Sequence, residues 1–130
     1  MKKLLCSLFA LSAVSTAMAQ EVNIKILGTS DIHGRVVPWS YGADVEDKSG
    51  SYAQIATYVK DVRKNNKNVV LVDVGDAIQD NQVDVFAKDK KYYKDHPIPK
   101  VLNEMKYDVF VLGNHEFNFG TVSYTHLTLP

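Results

Sequence analysis

Val109-Phe110-Val111-Leu112-Gly113-Asn114-His115-Glu116-Phe117-Asn118-Phe119-Gly120 joins an apolar, β-rich run directly to a polar cluster. The run has the length and composition of a buried strand, so the cluster from Gly113 onward falls on the loop at that strand's carboxyl end. Open α/β sheets place their chemistry at that edge. Two earlier segments read the same way. Ile24 to Thr29 leads into Ser30-Asp31-Ile32-His33-Gly34, and Val69 to Val74 leads into Gly75-Asp76. Three strand ends thus offer Asp31, His33, Asp76, Asn114 and His115 to one edge of one sheet.

The segments between them supply the rest of an α/β rhythm. Val22, Ile24 and Ile26 alternate with polar residues, as in a strand with one less buried face near a sheet edge. Val69 to Val74 is apolar on both faces except at Asp73, which predicts a central strand covered on both sides. Ser51-Tyr52-Ala53-Gln54 reads as a capping box. Tyr52, Ile55, Ala56, Val59 and Val62 then recur at helical spacing to about Lys64, before Asn65-Asn66. Val83, Phe86 and Ala87 suggest a short helix, and His96-Pro97-Ile98-Pro99 opens another whose buried side is Val101, Leu102 and Met105. The order strand, helix, strand, helix, strand implies parallel pairing through right-handed crossovers. Arg35 to Gly50 is a polar, turn-rich excursion beside the site, where Trp39 and Tyr41 either border a substrate base or pack on the loop's own body.

Carboxylate and amide oxygens mixed with imidazole suit Zn, Mn or Fe, and one carboxylate shared by two ions is how a two-metal centre is built. Asp31 and His33 are two apart, so in an extended segment both side chains point the same way toward one ion. Asp73 is a second candidate, because a buried carboxylate needs a partner. It either holds a ligand histidine from behind or bonds a neighbouring loop. His96 precedes a proline away from the strand ends, which favours capping or surface exposure over ligation.

The three pieces in order, D-x-H, G-D and G-N-H-E, resemble the calcineurin-like metallophosphoesterases. Asp76-Ala77-Ile78-Gln79 and Phe117-Asn118-Phe119-Gly120 resemble their secreted nucleotidase branch, and the likeness runs from Val22 to Gly120. The resemblance implies an incomplete, amino-terminal βαβαβ part of the family's α/β sandwich and two divalent ions, Zn, Mn or similar. In it Asp31 and His33 hold one ion, Asp76 bridges, and Asn114 binds the second through its amide oxygen. His115 faces the phosphate and stabilises or protonates the leaving oxygen, with Glu116 supporting the loop. In the 5′-nucleotidases of the branch an aspartate stands three positions after this histidine, whereas here Asn118 does. Asp80-Asn81 likewise replaces the glycine-serine usual after the Gln79 position. His96-Pro97, the helix to Tyr107 and Asn118 favour the 2′,3′-cyclic-nucleotide 2′-phosphodiesterase/3′-nucleotidases over the 5′-nucleotidases. The resemblance also places further histidine ligands and a carboxyl-terminal substrate domain downstream of Gly120, so these residues alone are expected to be inactive. The reading of another class is an α/β binding module without metal.

Lys2-Lys3, an apolar stretch from Leu4 to Ala17 and the small-residue end Ala17-Met18-Ala19 have the grammar of a secretory signal over residues 1–19. That stretch falls short of the roughly 20 residues needed to span a bilayer, so no stable membrane anchor is expected. The expected location is periplasmic or secreted. Cys6, the one cysteine, leaves with the signal, so the remaining chain offers neither disulfide nor thiolate. Basic and acidic residues number 15 each; removing Lys2 and Lys3 leaves a net charge of about −2, without the basic field that nucleic acid requires. The expected partner is a nucleotide substrate. Lys88, Lys90, Lys91 and Lys94 alternate with acids and read as a solvated surface. Val122 to Pro130 breaks the α/β rhythm, and its codons can be written as a transposon end plus sequencing adapter. Residues 121–130 are therefore expected to be a non-native tail, and residues 20–120 a partial metallophosphoesterase domain.

Overall fold

The structure is a computed structural model that describes residues 21–120; the expected signal and the expected tail lie outside the described residues. Its elements are β1 (Lys25–Thr29), β2 (Trp39–Ser40), β3 (Val45–Glu46), α1 (Tyr52–Asn65), β4 (Val69–Asp73), α2 (Asp84–Lys88), α3 (Pro97–Glu104) and β5 (Val109–Phe110). A 3₁₀ turn over Lys90–Asp95 joins α2 to α3, and another spans His115–Phe117.

The main sheet has the order β1-β4-β5, all parallel, with Leu27 beside Leu71 and Asp73 between Thr29 and Phe110. Parallel pairing requires crossovers, which α1 and the α2–α3 segment supply. The hydroxyl of Ser51 caps α1 by accepting the Gln54 N–H. The helix ends where Asn66 turns extended. Tyr52 and Val59 are the buried side chains of α1, while Ile98 and Leu102 are those of α3. They close on Leu71, Ala77, Ile78 and Met105 in one core. Full burial of a side chain of the Leu or Ile kind stabilises by about 1.5–3 kcal/mol. Arg63 of α1 ties the two helices further, donating to the carbonyls of Met105 and Lys106 just past α3.

The expectation that β4 is covered on both faces does not hold among the described residues. The strand order runs β1-β4-β5 without reversal, so successive right-handed crossovers put α1 and α3 on the same side of the sheet. On the other side Ile26 is 73% exposed and Val74, Val109 and Val111 are about half exposed. The β1 edge position agrees with its alternating pattern. The last strand is shorter than the run to Leu112 suggests. Val111 still donates to the Asp73 carbonyl at 2.8 Å, but the next ladder position on β4 is taken by the turn at Gly75. The excursion from Arg35 is not irregular throughout: β2 and β3 form a small antiparallel hairpin, turned through Asp44 at φ 54°.

Candidate metal centre

The loops after β1 and β4 run side by side past the end of the sheet. Asp31 N–H donates to the Gly75 carbonyl at 3.0 Å, His33 N–H to Asp76 at 3.0 Å, and Gly34 N–H to Ala77 at 2.7 Å. Asp31 (φ 53°), His33 (φ 49°) and Asp76 (φ 56°) all adopt left-handed backbone, rare for residues with a Cβ. The extended geometry expected for the Asp31–His33 pair is therefore replaced by two left-handed turns, held by that backbone ladder. Such strain persists only where surrounding bonds enforce it, and it concentrates at functional sites. The loop after β5 closes onto the same place. A side chain at Gly75 or at Gly113 would collide, the first with the Gly113 backbone and the second with Asp76, so the two loops approach as only glycines permit.

Glu116 locks them together. Its carboxylate is fully buried and accepts three backbone N–H groups, from Asp76 at 2.9 Å, Ala77 at 2.7 Å and Gly113 at 2.6 Å. Asp76 reciprocates, its Oδ1 accepting the His115 N–H at 2.8 Å. Two carboxylates thus staple the β4 loop to the β5 loop. The His115 ring is oriented by neutral amides: Nδ1 lies 2.8 Å from Gln79 Oε1 and 2.9 Å from Asn118 Nδ2, and the Asn118 amide also donates to Gln79 Oε1. With the proton on Nδ1, that N–H and the Asn118 amide both donate to Gln79 Oε1, and the ring's lone pair is then on Nε2.

Among the described residues, Asp73 holds no histidine. It is fully buried, accepting the Thr29 hydroxyl at 2.6 Å, the Tyr52 hydroxyl at 3.3 Å and the Gly75 N–H at 2.9 Å. Burial raises its pKa, and the hydrogen bonds oppose that shift. Its contribution to the site is indirect, through the Gly75 turn that carries Asp76. Tyr107, 3.0 Å from the Thr29 hydroxyl, is pushed up to about 12, chiefly by burial. His96 is the amino cap of α3, its Nδ1 accepting the Ile98 N–H at 3.2 Å; it is buried rather than on the surface.

His33 Nδ1 faces two oxygens, the Gln79 carbonyl at 3.3 Å and the Asp80 carboxylate at 3.5 Å. Its ring meets the His115 ring edge-on at 5.3 Å. Among the described residues, His33, Asp80 and His115 are the set whose donor atoms all lie within 4.8 Å of one another. Asp31, Asp76 and Asn114 stand on the same loops outside that set. Gln79 and Asp80 were not among the residues singled out from sequence as site-forming. The signal for them was their place on the Asp76 loop, three and four residues downstream.

The donors present fit divalent cations. Among the described residues, Asp76 uses one carboxylate oxygen on His115 and has no bond to the other, and His33 has none at Nε2. The Asp31 and Asn114 side chains have no hydrogen-bond partner among the described residues. Oxygen and imidazole donors of this kind are those of Zn, Mn or Fe sites. Beside them Trp39 and Tyr41 of the hairpin line a cavity of about 390 Å³ with Gly34, Asn81, Val83 and Phe86.

Oxygen and imidazole donors gathered on the carboxyl edge of a parallel sheet are an arrangement suited to a divalent metal site. The chain belongs to the calcineurin-like phosphoesterase family, which it matches over residues 24–127. It is 41% identical over 110 residues to the trifunctional nucleotide phosphoesterase protein YfkN of Bacillus subtilis (strain 168), covering 78% of this chain and 7% of that protein. Identity is 38% over 119 residues to the 2′,3′-cyclic-nucleotide 2′-phosphodiesterase/3′-nucleotidase of Haemophilus influenzae, covering 88% of this chain and 18% of the relative. A snake venom 5′-nucleotidase from Naja atra is 34% identical over 100 residues, or 75% of this chain and 18% of the relative. The crystal structure of the calcineurin-like phosphoesterase YfkN from Bacillus subtilis superposes with a TM-score of 0.73 at 36% identity, covering 80% of this chain and 33% of that one. The chain therefore spans less than a fifth of the length of these curated relatives.

Proposed function

We propose that this chain is the amino-terminal part of a periplasmic or secreted nucleotide phosphoesterase with a two-metal centre, which opens 2′,3′-cyclic nucleotides and then removes the 3′-phosphate. The observation that carries the reading is the stapling of the Asp76 loop to the His115 loop by Glu116, because it presents ligand-type residues and an imidazole at one rim. Asp31 and His33 would hold one ion, Asp76 would be shared between the two, and Asn114 would serve the second. When bound, the ions supply Lewis acidity at the phosphoryl group.

The chain's own contribution is to aim His115. Gln79, itself held by the Asn118 amide, fixes the ring through Nδ1, so Nε2 is the atom left to meet the leaving oxygen. Both partners are neutral amides. A cyclic diester carries one negative charge where a monoester can carry two, so it asks for less positive charge from the site. Trp39 and Tyr41 give the nucleoside an aromatic wall beside the phosphate position. The resemblance to 5′-nucleotidases supports a second reading, hydrolysis of 5′-monophosphates.

Competition between 2′,3′-cyclic AMP and 5′-AMP in one assay of the full-length protein separates the two. The expected outcome is a higher kcat/KM for the cyclic substrate; the reverse order replaces the first reading with the second. Metal analysis of the same sample tests the centre itself, with a stoichiometry near two expected and a metal-free protein assigning the fold to a binding module.

A further inference from the structure

Asp80 is the most unexpected side chain at the rim. It stands on the β4 loop at φ 69°, a left-handed backbone that glycine adopts without penalty and an aspartate does not. The strained residue delivers its carboxylate to within 3.5 Å of His33 Nδ1, next to the Gln79 carbonyl at 3.3 Å from the same nitrogen. A proton on Nδ1 is bonded by the Gln79 carbonyl and favoured by the Asp80 carboxylate beside it, and the lone pair is then on Nε2. A carboxylate placed behind an imidazole in this way orients the ring and increases the electron density its other nitrogen gives to a cation.

We propose that Asp80 is a positioning residue for His33: it holds the ring with Nε2 directed into the centre and strengthens the grip of that nitrogen on a divalent cation. The inference rests on the reading of His33 as a metal ligand and adds to it a residue that is itself no ligand. Two other groups are close to the pair: the Gln79 amide, whose Nε2 donates to Asp80 Oδ1 at 3.3 Å, and the His115 ring, whose Nδ1 is already engaged by the Gln79 oxygen. Side-chain exposure is 64% for Asp80 and 31% for His33. Water therefore weakens the contact, which puts the expected gain in affinity at about tenfold, the lower end for such partners.

The test is Zn²⁺ affinity measured by chelator competition on the full-length protein and its Asp80→Asn, Asp80→Gly and His33→Ala variants, with the melting temperature of each metal-free form. Asp80→Asn is expected to weaken binding by about tenfold at an unchanged metal-free melting temperature. Asp80→Gly is expected to weaken it equally while raising that melting temperature, because glycine relieves the left-handed backbone. Affinity and stability moving in opposite directions is a result that a merely structural role does not produce. Wild-type affinity in Asp80→Asn together with lost affinity in His33→Ala overturns the role of Asp80 and leaves His33 a ligand. Wild-type affinity in His33→Ala overturns both.

Discussion

Glu116 Oε2 accepts the backbone N–H of Asp76 at 2.9 Å, a bond between residues 40 positions apart that joins two strand-end loops from inside the protein. The carboxylate is fully buried, and among the described residues it has no ion pair with a lysine or arginine and is met by backbone N–H groups. Hydrogen bonds to a charged group are each worth about 1.5–3 kcal/mol. Replacing Glu116 by Gln puts an amide donor against backbone donors. Glu116→Gln is expected to lower stability by about 2–4 kcal/mol and to reduce phosphoesterase rate further than the unfolded fraction explains. Urea unfolding and kcat on the same preparations check this, and unchanged values for both would show that the staple carries no weight.

Asp76→Asn is expected to damage the full-length protein more than Asn114→Ala. Removing the bridging charge weakens both ions, whereas losing a neutral amide weakens one. The Asp76 Oδ1 bond to the His115 N–H survives as an amide oxygen, so the effect is one of charge at the centre rather than loop collapse. Metal content and rate are the readouts. Retention of two ions in Asp76→Asn would assign the bridge elsewhere.

His96 gives the fold an acid-sensitive point. Burial holds its pKa down at about 4, against 6.5 when exposed, because the charged ring cannot be solvated there. The unfolded chain takes up the proton first, so the contribution is complete above pH 6.5 and is lost as the pH falls toward 4. The loss amounts to about 3 kcal/mol. His96→Asn keeps a side-chain acceptor for the Ile98 N–H and removes the titration. Its unfolding free energy is expected to fall less than wild type between pH 7 and pH 4; parallel curves would place the acid sensitivity on other groups.

Residues 20–120 expressed alone are expected to show no useful phosphoesterase activity with added Mn or Zn. One face of the sheet exposes Ile26, Val74, Val109 and Val111, and the described donors do not complete two shells. An assay of this piece beside the full-length protein decides the matter, and comparable turnover would refute the expectation.

The chain's own residues determined the order of elements and the edge at which chemistry gathers. Apolar runs of strand length, a capped helix at Ser51 and polar residues directly after each strand are local signals, legible because periodicity and loop chemistry act over a few residues. The gathering of Asp31, His33, Asp76, Asn114 and His115 on loops at one sheet edge was visible for that reason, as was the central position of β4. What only the tertiary structure decided depends on contacts between distant segments. The left-handed turns at Asp31 and His33 exist because the Gly75–Ala77 backbone holds them. Asp73 bonds Thr29, Tyr52 and Gly75 rather than a histidine because register, invisible in the pattern, sets Thr29 beside it. The bare sheet face follows from crossover handedness acting on a strand order the pattern alone does not specify. Gln79 and Asp80 reach His115 and His33 for the same reason: spacing places them on the right loop, but which way a loop residue points is fixed by the hydrogen bonds of its neighbours across the sheet edge.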